Sequence, residues 1–351
     1  MLFRSLEDEG CILGVALYQA SAEDSGRVLD SIEDGDLVAL GLKAAREVSP
    51  DETGPTDQQR SHGVSVPAGG ERPRCHNERV PLPVSVQICT LNEERNIGDC
   101  LEAVIANDPE EIVVIDGGST DATVALAQRL GARVISPGRL GLGPSRRLGY
   151  LSSNSTYTAF VDADDRLGPD WLATMIAELV AGGYSALQSS LRVPEPSSFW
   201  ARGWDQYFIE SVRPTADTNM VGRPALFVTA DLQADQTEFA SLDEDTHMSR
   251  AFELRGLRQG IGTAVTYRFC EETYDENVRK WRSYGRGYRG FVLENPDRRR
   301  AILRHMLWTV PVARSVRPVL RGKVLQPAFG ALMAGSIVAG WVSARIPAAS
   351  H

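Results

Sequence analysis

The sequence predicts an α/β protein built on a mixed, mainly parallel sheet with flanking helices, and amphipathic and hydrophobic helices at the C-terminal end. Three observations predict it. From Pro83 on, short β-branched runs alternate with segments of helical spacing, the pattern of a parallel sheet covered on both faces. Several of these runs stop abruptly at a polar residue: Thr90, Asp116 and Asp162. The last stretch, Val324 to Ala344, carries no charged residue.

Taken in order, Val84 to Thr90 alternates and is rich in β-branched residues, so it reads as a strand. Leu91 to Asn96 is a polar turn, after which Ile97, Cys100, Leu101, Val104 and Ile105 recur at helical spacing. Glu111 to Ile115 is a short buried strand ending at Asp116. Gly117 to Asp121 is a turn, and Thr123 to Leu130 a helix closed by Gly131. Arg133 to Ser136 is a third strand, Gly143 to Leu151 a helix, and the segment from Tyr157 a strand that runs into Asp162-Ala163-Asp164-Asp165. A helix from Asp170 to Ala181 and strands at Tyr184–Leu191 and Ala225–Thr229 follow, then a basic, aromatic helix over Val278–Phe291. The aromatics Trp200, Trp204, Tyr207 and Phe208 read as core packing, with the wall of an acceptor pocket as the alternative.

The net charge of −9 argues against non-specific nucleic-acid binding, which needs a basic face. Five scattered cysteines without CxxC spacing point to reduced thiols rather than a disulfide framework or a zinc site. The first residues, with Glu7, Asp8 and Glu9, do not read as a signal peptide. Residues 1–80 read as an extension and linker, in part poorly ordered, because Ser49 to Arg79 is poor in apolar residues.

Chemistry concentrates where the strands end. Asp is poor in strands and costly to bury unpaired. Three carboxylates this close repel one another unless a cation sits among them, and hard oxygen ligands suit Mg²⁺ or Mn²⁺. An Asp-rich turn is the plainer alternative. In parallel sheets ligands sit beyond the C-terminal strand ends, so Thr90, Asp116 and Asp162 are expected to converge on one crevice.

Thr90-Leu91-Asn92-Glu93-Glu94, Asp116 to Asp121, Ser145 to Gly149, Asp162 to Asp165 and Glu244-Asp245 together resemble the successive motifs of family 2 glycosyltransferases. The resemblance covers Pro83 to Phe291 and implies a GT-A fold and an inverting transfer from a nucleotide-diphosphate sugar to an acceptor hydroxyl. It implies donor contacts at Thr90, Asn92, Glu93, Asp116, Gly118, Ser119, Arg146, Asp162, Asp164, Arg279 and Arg282. It also implies a divalent cation, Mg²⁺ or Mn²⁺, at Asp162 and Asp164, and a general base at Asp245. Arg279-Lys280-Trp281-Arg282 matches the family's basic motif only loosely, and Arg147 stands where many relatives have Asn. A helix N-cap is the plainer role for Asp245, and a turn aspartate for Asp116. A nucleotidyltransferase, a polyprenyl-phosphate sugar transferase and a non-catalytic membrane-tethered scaffold are the rival readings. The turn at Leu91 to Glu94 lacks the glycines of a nucleotidyltransferase phosphate loop, and Glu244-Asp245 favours a hydroxyl acceptor.

The expected domains are therefore 1–80, a glycosyltransferase domain at 81–295, and a membrane-associated tail at 296–351. The uncharged run from Val324 to Ala344 has about the length needed to span a bilayer. Arginines precede it and only Arg345 follows, which places its N-terminal side in the cytoplasm. Ala301 to Leu320 reads as an interfacial helix. The expected location is the cell membrane, with the domain on the cytoplasmic side and a glycan or lipid-linked acceptor.

Overall fold

The computed structural model of the 351-residue chain describes residues 80–235, 244–304, 306 and 326–344. The expectations for residues 1–79 and for residues 307–325 lie outside the described residues.

The first half follows the expected alternation: β1 (Leu82–Thr90), α1 (Ile97–Ile105), β2 (Pro109–Asp116), α2 (Thr123–Arg129), β3 (Arg133–Ile135), α3 (Leu142–Leu151) and β4 (Tyr157–Asp162). The second half runs β5 (Asp165–Leu167), α4 (Trp171–Gly182), β6 (Ala186–Arg192), α5 (Phe199–Ser211), β7 (Ala225–Val228), α6 (Thr229–Gln233) and α7 (Glu244–Leu254). It closes with β8 (Gln259–Arg268), α8 (Tyr274–Glu294), α9 (Arg299–Arg304) and α10 (Gln326–Ser343). The strands form one sheet in the order β3-β2-β1-β4-β7-β6-β8-β5. β1, β2, β3 and β4 pair in parallel, as do β6 and β8, while β7 runs antiparallel to both β4 and β6, and β5 to β8.

β4 and β5 are joined by only Ala163 and Asp164, yet they stand four places apart in the sheet. That connection reaches at most about 10 Å. The sheet must therefore curl until its far edge returns to the C-terminal end of β4. The acidic tip is the stitch that closes this curl.

Burial explains why β4 reads as a continuous apolar run. Tyr157, Ala159 and Val161 face a core that contains Ile97, Leu101 and Val104 of α1 and Trp171, Leu172 and Met175 of α4. Phe160 faces the opposite core, with Tyr150, Phe227, Met248 and Phe252. Two covered faces leave no polar alternation.

Two strands that the sequence reading passes over are β5 and β8. β8 holds Ile261, Val265, Thr266 and Tyr267, ordinary β-formers whose burial alternates in part. Its glycines, Gly260 and Gly262, mask the signal. α5 was expected only as a run of aromatics; Trp204 and Phe208 are buried, and Trp200 and Tyr207 pack against the same cluster.

α10 lies against α8 and α5. Phe329, Met333 and Ile337 join Trp204, Trp281 and Phe291 in a third core. The small residues permit a close approach: a Cβ on Gly285 would run into the Ile337 carbonyl oxygen, and one on Gly340 into the Arg282 carbonyl oxygen. One face of the uncharged run is thus used inside the protein. Among the described residues no helix is long and apolar enough to cross a membrane.

Candidate functional site

The parallel register brings the strand ends together. Thr90 pairs with Asp116 across β1 and β2, and Cys89 pairs with Asp162 across β1 and β4. Thr90, Asp116 and Asp162, which span 72 positions of sequence, therefore meet at the C-terminal ends of neighbouring strands.

Loops from the first two strand ends are laced to each other. Asp116 is buried and accepts hydrogen bonds from the backbone N–H of Gly118 (3.0 Å) and of Ser119 (3.1 Å), with the Thr90 hydroxyl 3.5 Å away. The Asn92 N–H donates to Ser119 Oγ at 2.8 Å, and the Thr120 N–H to Asn92 Oδ1 at 2.9 Å. Glu93 donates its N–H to Thr123 Oγ1 (2.8 Å), and its carboxylate accepts from Asn96 (2.9 Å). Burial raises the Glu93 pKa, against that hydrogen bond. Thr90, Asn92, Glu93, Asp116, Gly118 and Ser119 therefore form one rigid floor.

Beside this floor lies the acidic tip. Asp162, Asp164 and Asp165 each place a carboxylate oxygen within 4.8 Å of the others. The sequence argument calls for a cation among them, and the chain itself supplies two. Arg146 Nη2 donates to Asp162 Oδ1 at 2.6 Å. Arg268 Nη2 donates to Asp162 Oδ2 at 2.8 Å, and Arg268 holds both oxygens of Asp165 at 2.8 Å. Burial pushes the Asp162 carboxyl up, but Arg146 and Arg268 overcome it and hold it below the usual range. Burial raises Asp164, with Arg268 opposing, and lifts Asp165 to about 7. Among the described residues the Asp164 carboxylate accepts no hydrogen bond, which leaves its lone pairs open. The cluster fits a hard divalent cation by donor type and spacing, with Asp164 the readiest ligand.

Arg146 has a second partner. Its Nη1 pairs with Glu244, which is 2 % exposed and opens α7. Asp245 follows; its Oδ1 accepts from the Thr246 N–H at 2.8 Å. So the arginine that grips the acidic tip also fixes the start of the helix that carries Asp245.

α8 presents its basic residues in a way the motif did not suggest. Arg279 and Arg282 are exposed, and the structure does not bring them to the acidic tip. Lys280 instead turns inward: its Nζ pairs with Glu271 at 2.7 Å, lies 5.4 Å from the Trp204 ring centre, and acts on the charges of Asp162 and Asp164. The physical reason is helical phase, since buried Asn277 and Trp281 set the inward face. Arg223 and Arg268 were missed by the sequence reading. Each is a lone arginine at a strand end, and only the sheet order reveals that both ends lie beside Asp162.

Residues 85–233 match the family described as Glycosyl transferase family 2. An uncharacterized glycosyltransferase of Mycobacterium tuberculosis is 32 % identical over 117 residues, 33 % of this chain and 52 % of that protein. One from Haemophilus influenzae is 33 % identical over 110 residues, 29 % of this chain and 34 % of that one. The chain thus spans about half the length of the mycobacterial relative. Among solved structures, the mannosyltransferase of Pyrobaculum calidifontis in complex with GDP-Man and Mn²⁺ superposes with a TM-score of 0.50 at 16 % identity, over 76 % of this chain and 79 % of that one. The curled mixed sheet with flanking helices is the GT-A arrangement. Over residues 85–233 the chain is similar to glycosyl transferase family 2.

Proposed function

We propose that the protein moves a sugar from a nucleotide-diphosphate donor to an acceptor hydroxyl with inversion at the anomeric carbon. The observation that carries this reading is the Arg146 bridge between Asp162 and Glu244, which couples the strand-end crevice to the helix bearing Asp245. In the proposed assignment the laced floor of Thr90, Asn92, Glu93, Asp116, Gly118 and Ser119 receives the nucleoside. Asp164 and Asp162 would hold a divalent cation, which would supply positive charge to the leaving diphosphate. Arg146 and Arg268 keep Asp162 ionised and aimed. Asp245, within hydrogen-bond reach, takes the proton of the acceptor hydroxyl as that oxygen bonds to the anomeric carbon and the bond from that carbon to the donor's diphosphate oxygen breaks. Arg279 and Arg282, exposed in this structure, stand outside the assignment, and Lys280 takes their place near Asp164.

The same proposal places the protein at the cytoplasmic face of the cell membrane, with a lipid-linked glycan or other glycoconjugate as acceptor. What supports it is the arginine-rich sequence around Arg298, Arg299, Arg300 and Arg304 and the uncharged run beyond. Flotation with anionic vesicles tests it: the full chain rises with lipid at low salt, and a chain that stays at the bottom ends the membrane part of the proposal.

The donor part is tested by calorimetric titration of UDP-, GDP- and dTDP-sugars with Mn²⁺, Mg²⁺ or EDTA. One donor class is expected to bind in a metal-dependent way, and Asp164→Ala to weaken that binding at least tenfold. No binding of any donor under any metal would overturn the reading.

A further inference from the structure

Arg223 is a buried cation that pairs with no carboxylate among the described residues. It precedes β7, which pairs antiparallel with β4; two residues beyond the Phe160–Ala225 pair, on the two strands, lie Asp162 and Arg223. The residue is 5 % exposed. Among the described residues its Nη1 reaches only the Gly222 carbonyl (3.2 Å), its Nη2 only Met248 Sδ (3.8 Å), and its Nε has no partner. The guanidinium lies over the rings of Phe160 (4.9 Å) and Phe227 (5.3 Å).

The contrast with its neighbours is what matters. Arg146 and Arg268 each hold two carboxylates. Arg223 holds none among the described residues, and burial and the nearby charge of Arg146 both disfavour its cation, against Asp245 and Asp162. Ring faces offset part of a desolvation cost, but an unpaired buried charge is strongly unfavourable. A guanidinium that persists in such a place is explained by a partner that arrives from outside. It sits between the acidic tip and the helix of Asp245, where donor and acceptor meet in the proposed function.

We propose that Arg223 is the receptor for a substrate oxyanion: the diphosphate of the donor, or a phosphate or carboxylate on the acceptor. The planar fork of an arginine suits either group. The inference rests on the glycosyltransferase reading for its ligands, not for its geometry.

The test compares wild type, Arg223→Met and Arg223→Lys by calorimetry. One arm titrates a nucleoside and its diphosphate, with Mn²⁺. The other titrates inorganic phosphate into protein saturated with the nucleoside diphosphate or, where none binds, into protein alone. Loss of tenfold or more of the affinity gained from nucleoside to diphosphate in Arg223→Met assigns the arginine to the donor. An unchanged gain, with phosphate binding abolished, assigns it to the acceptor. Arg223→Lys, which keeps the charge and loses the fork, is expected to fall between and serves alone if the Met variant does not fold. Both arms unchanged would overturn the proposal. A wild type that binds phosphate through Arg223 but no nucleotide would instead overturn the donor reading and leave this one standing. A wild type that binds neither overturns both.

Discussion

Arg146 shows how much one side chain can organise. It is 5 % exposed and satisfies Asp162 at the tip and Glu244 at the start of α7. Breaking a buried pair by removing one partner costs about 3–5 kcal/mol. Arg146→Met is therefore expected to lower denaturant stability by about that amount, and Arg146→Lys by more than half of it, because one ammonium cannot replace a fork; urea unfolding measures both. The thiols make a second prediction. Burial raises the pKa of Cys89 and Cys100 and lifts Cys270 to about 12. At pH 8 a thiol with that pKa is ionised in roughly one molecule in 10⁴. Native protein is expected to leave all three unmodified by iodoacetamide, whereas unfolded protein labels fully; peptide mass spectrometry reads the difference. At this scale the sequence revealed the acidic residues well, because carboxylates beside a strand are conspicuous. It concealed Arg223 and Arg268, because an arginine at a strand end announces nothing until its neighbour in the sheet is known.

Among the elements, α8 and α10 are the pair most dependent on small residues. A side chain at Gly285 or Gly340 meets backbone carbonyls rather than movable side chains. Overpacking of this kind costs about 1–3 kcal/mol, so Gly340→Ala is expected to shift the unfolding midpoint downward. Gly335→Ala is the internal control: nothing lies within 4 Å of its added Cβ, and replacing a helical glycine there is expected to stabilise by up to about 1 kcal/mol. Equal effects from the two substitutions would mean that the helices do not pack in this way. The strand–helix alternation up to β4 was legible because each element carries its own periodicity. β5 was not, since three residues carry no period, and α10 reads from sequence as a lipid-facing run because small apolar residues suit helix packing and bilayers equally.

For the whole molecule, the tail decides between two pictures. If α10 is part of the fold, truncation after residue 304 uncovers Trp204, Trp281 and the rest of the third core, and the shortened chain is expected to aggregate or bind a hydrophobic dye. A truncated chain that stays monodisperse with an unchanged melting temperature would show that the helix contributes nothing to the domain. The curl of the sheet was not legible from the sequence, since it follows from the strand order and not from any local pattern. It also sets a schedule for synthesis. Asp162 leaves the ribosome well before Arg268, its partner 106 residues later, and the covering helix at 326–343 is made later still. The nascent chain must therefore carry Asp165 without its arginine, and Asp162 with Arg146 alone, for more than a hundred residues of translation, and the crevice can set only when β8 has emerged.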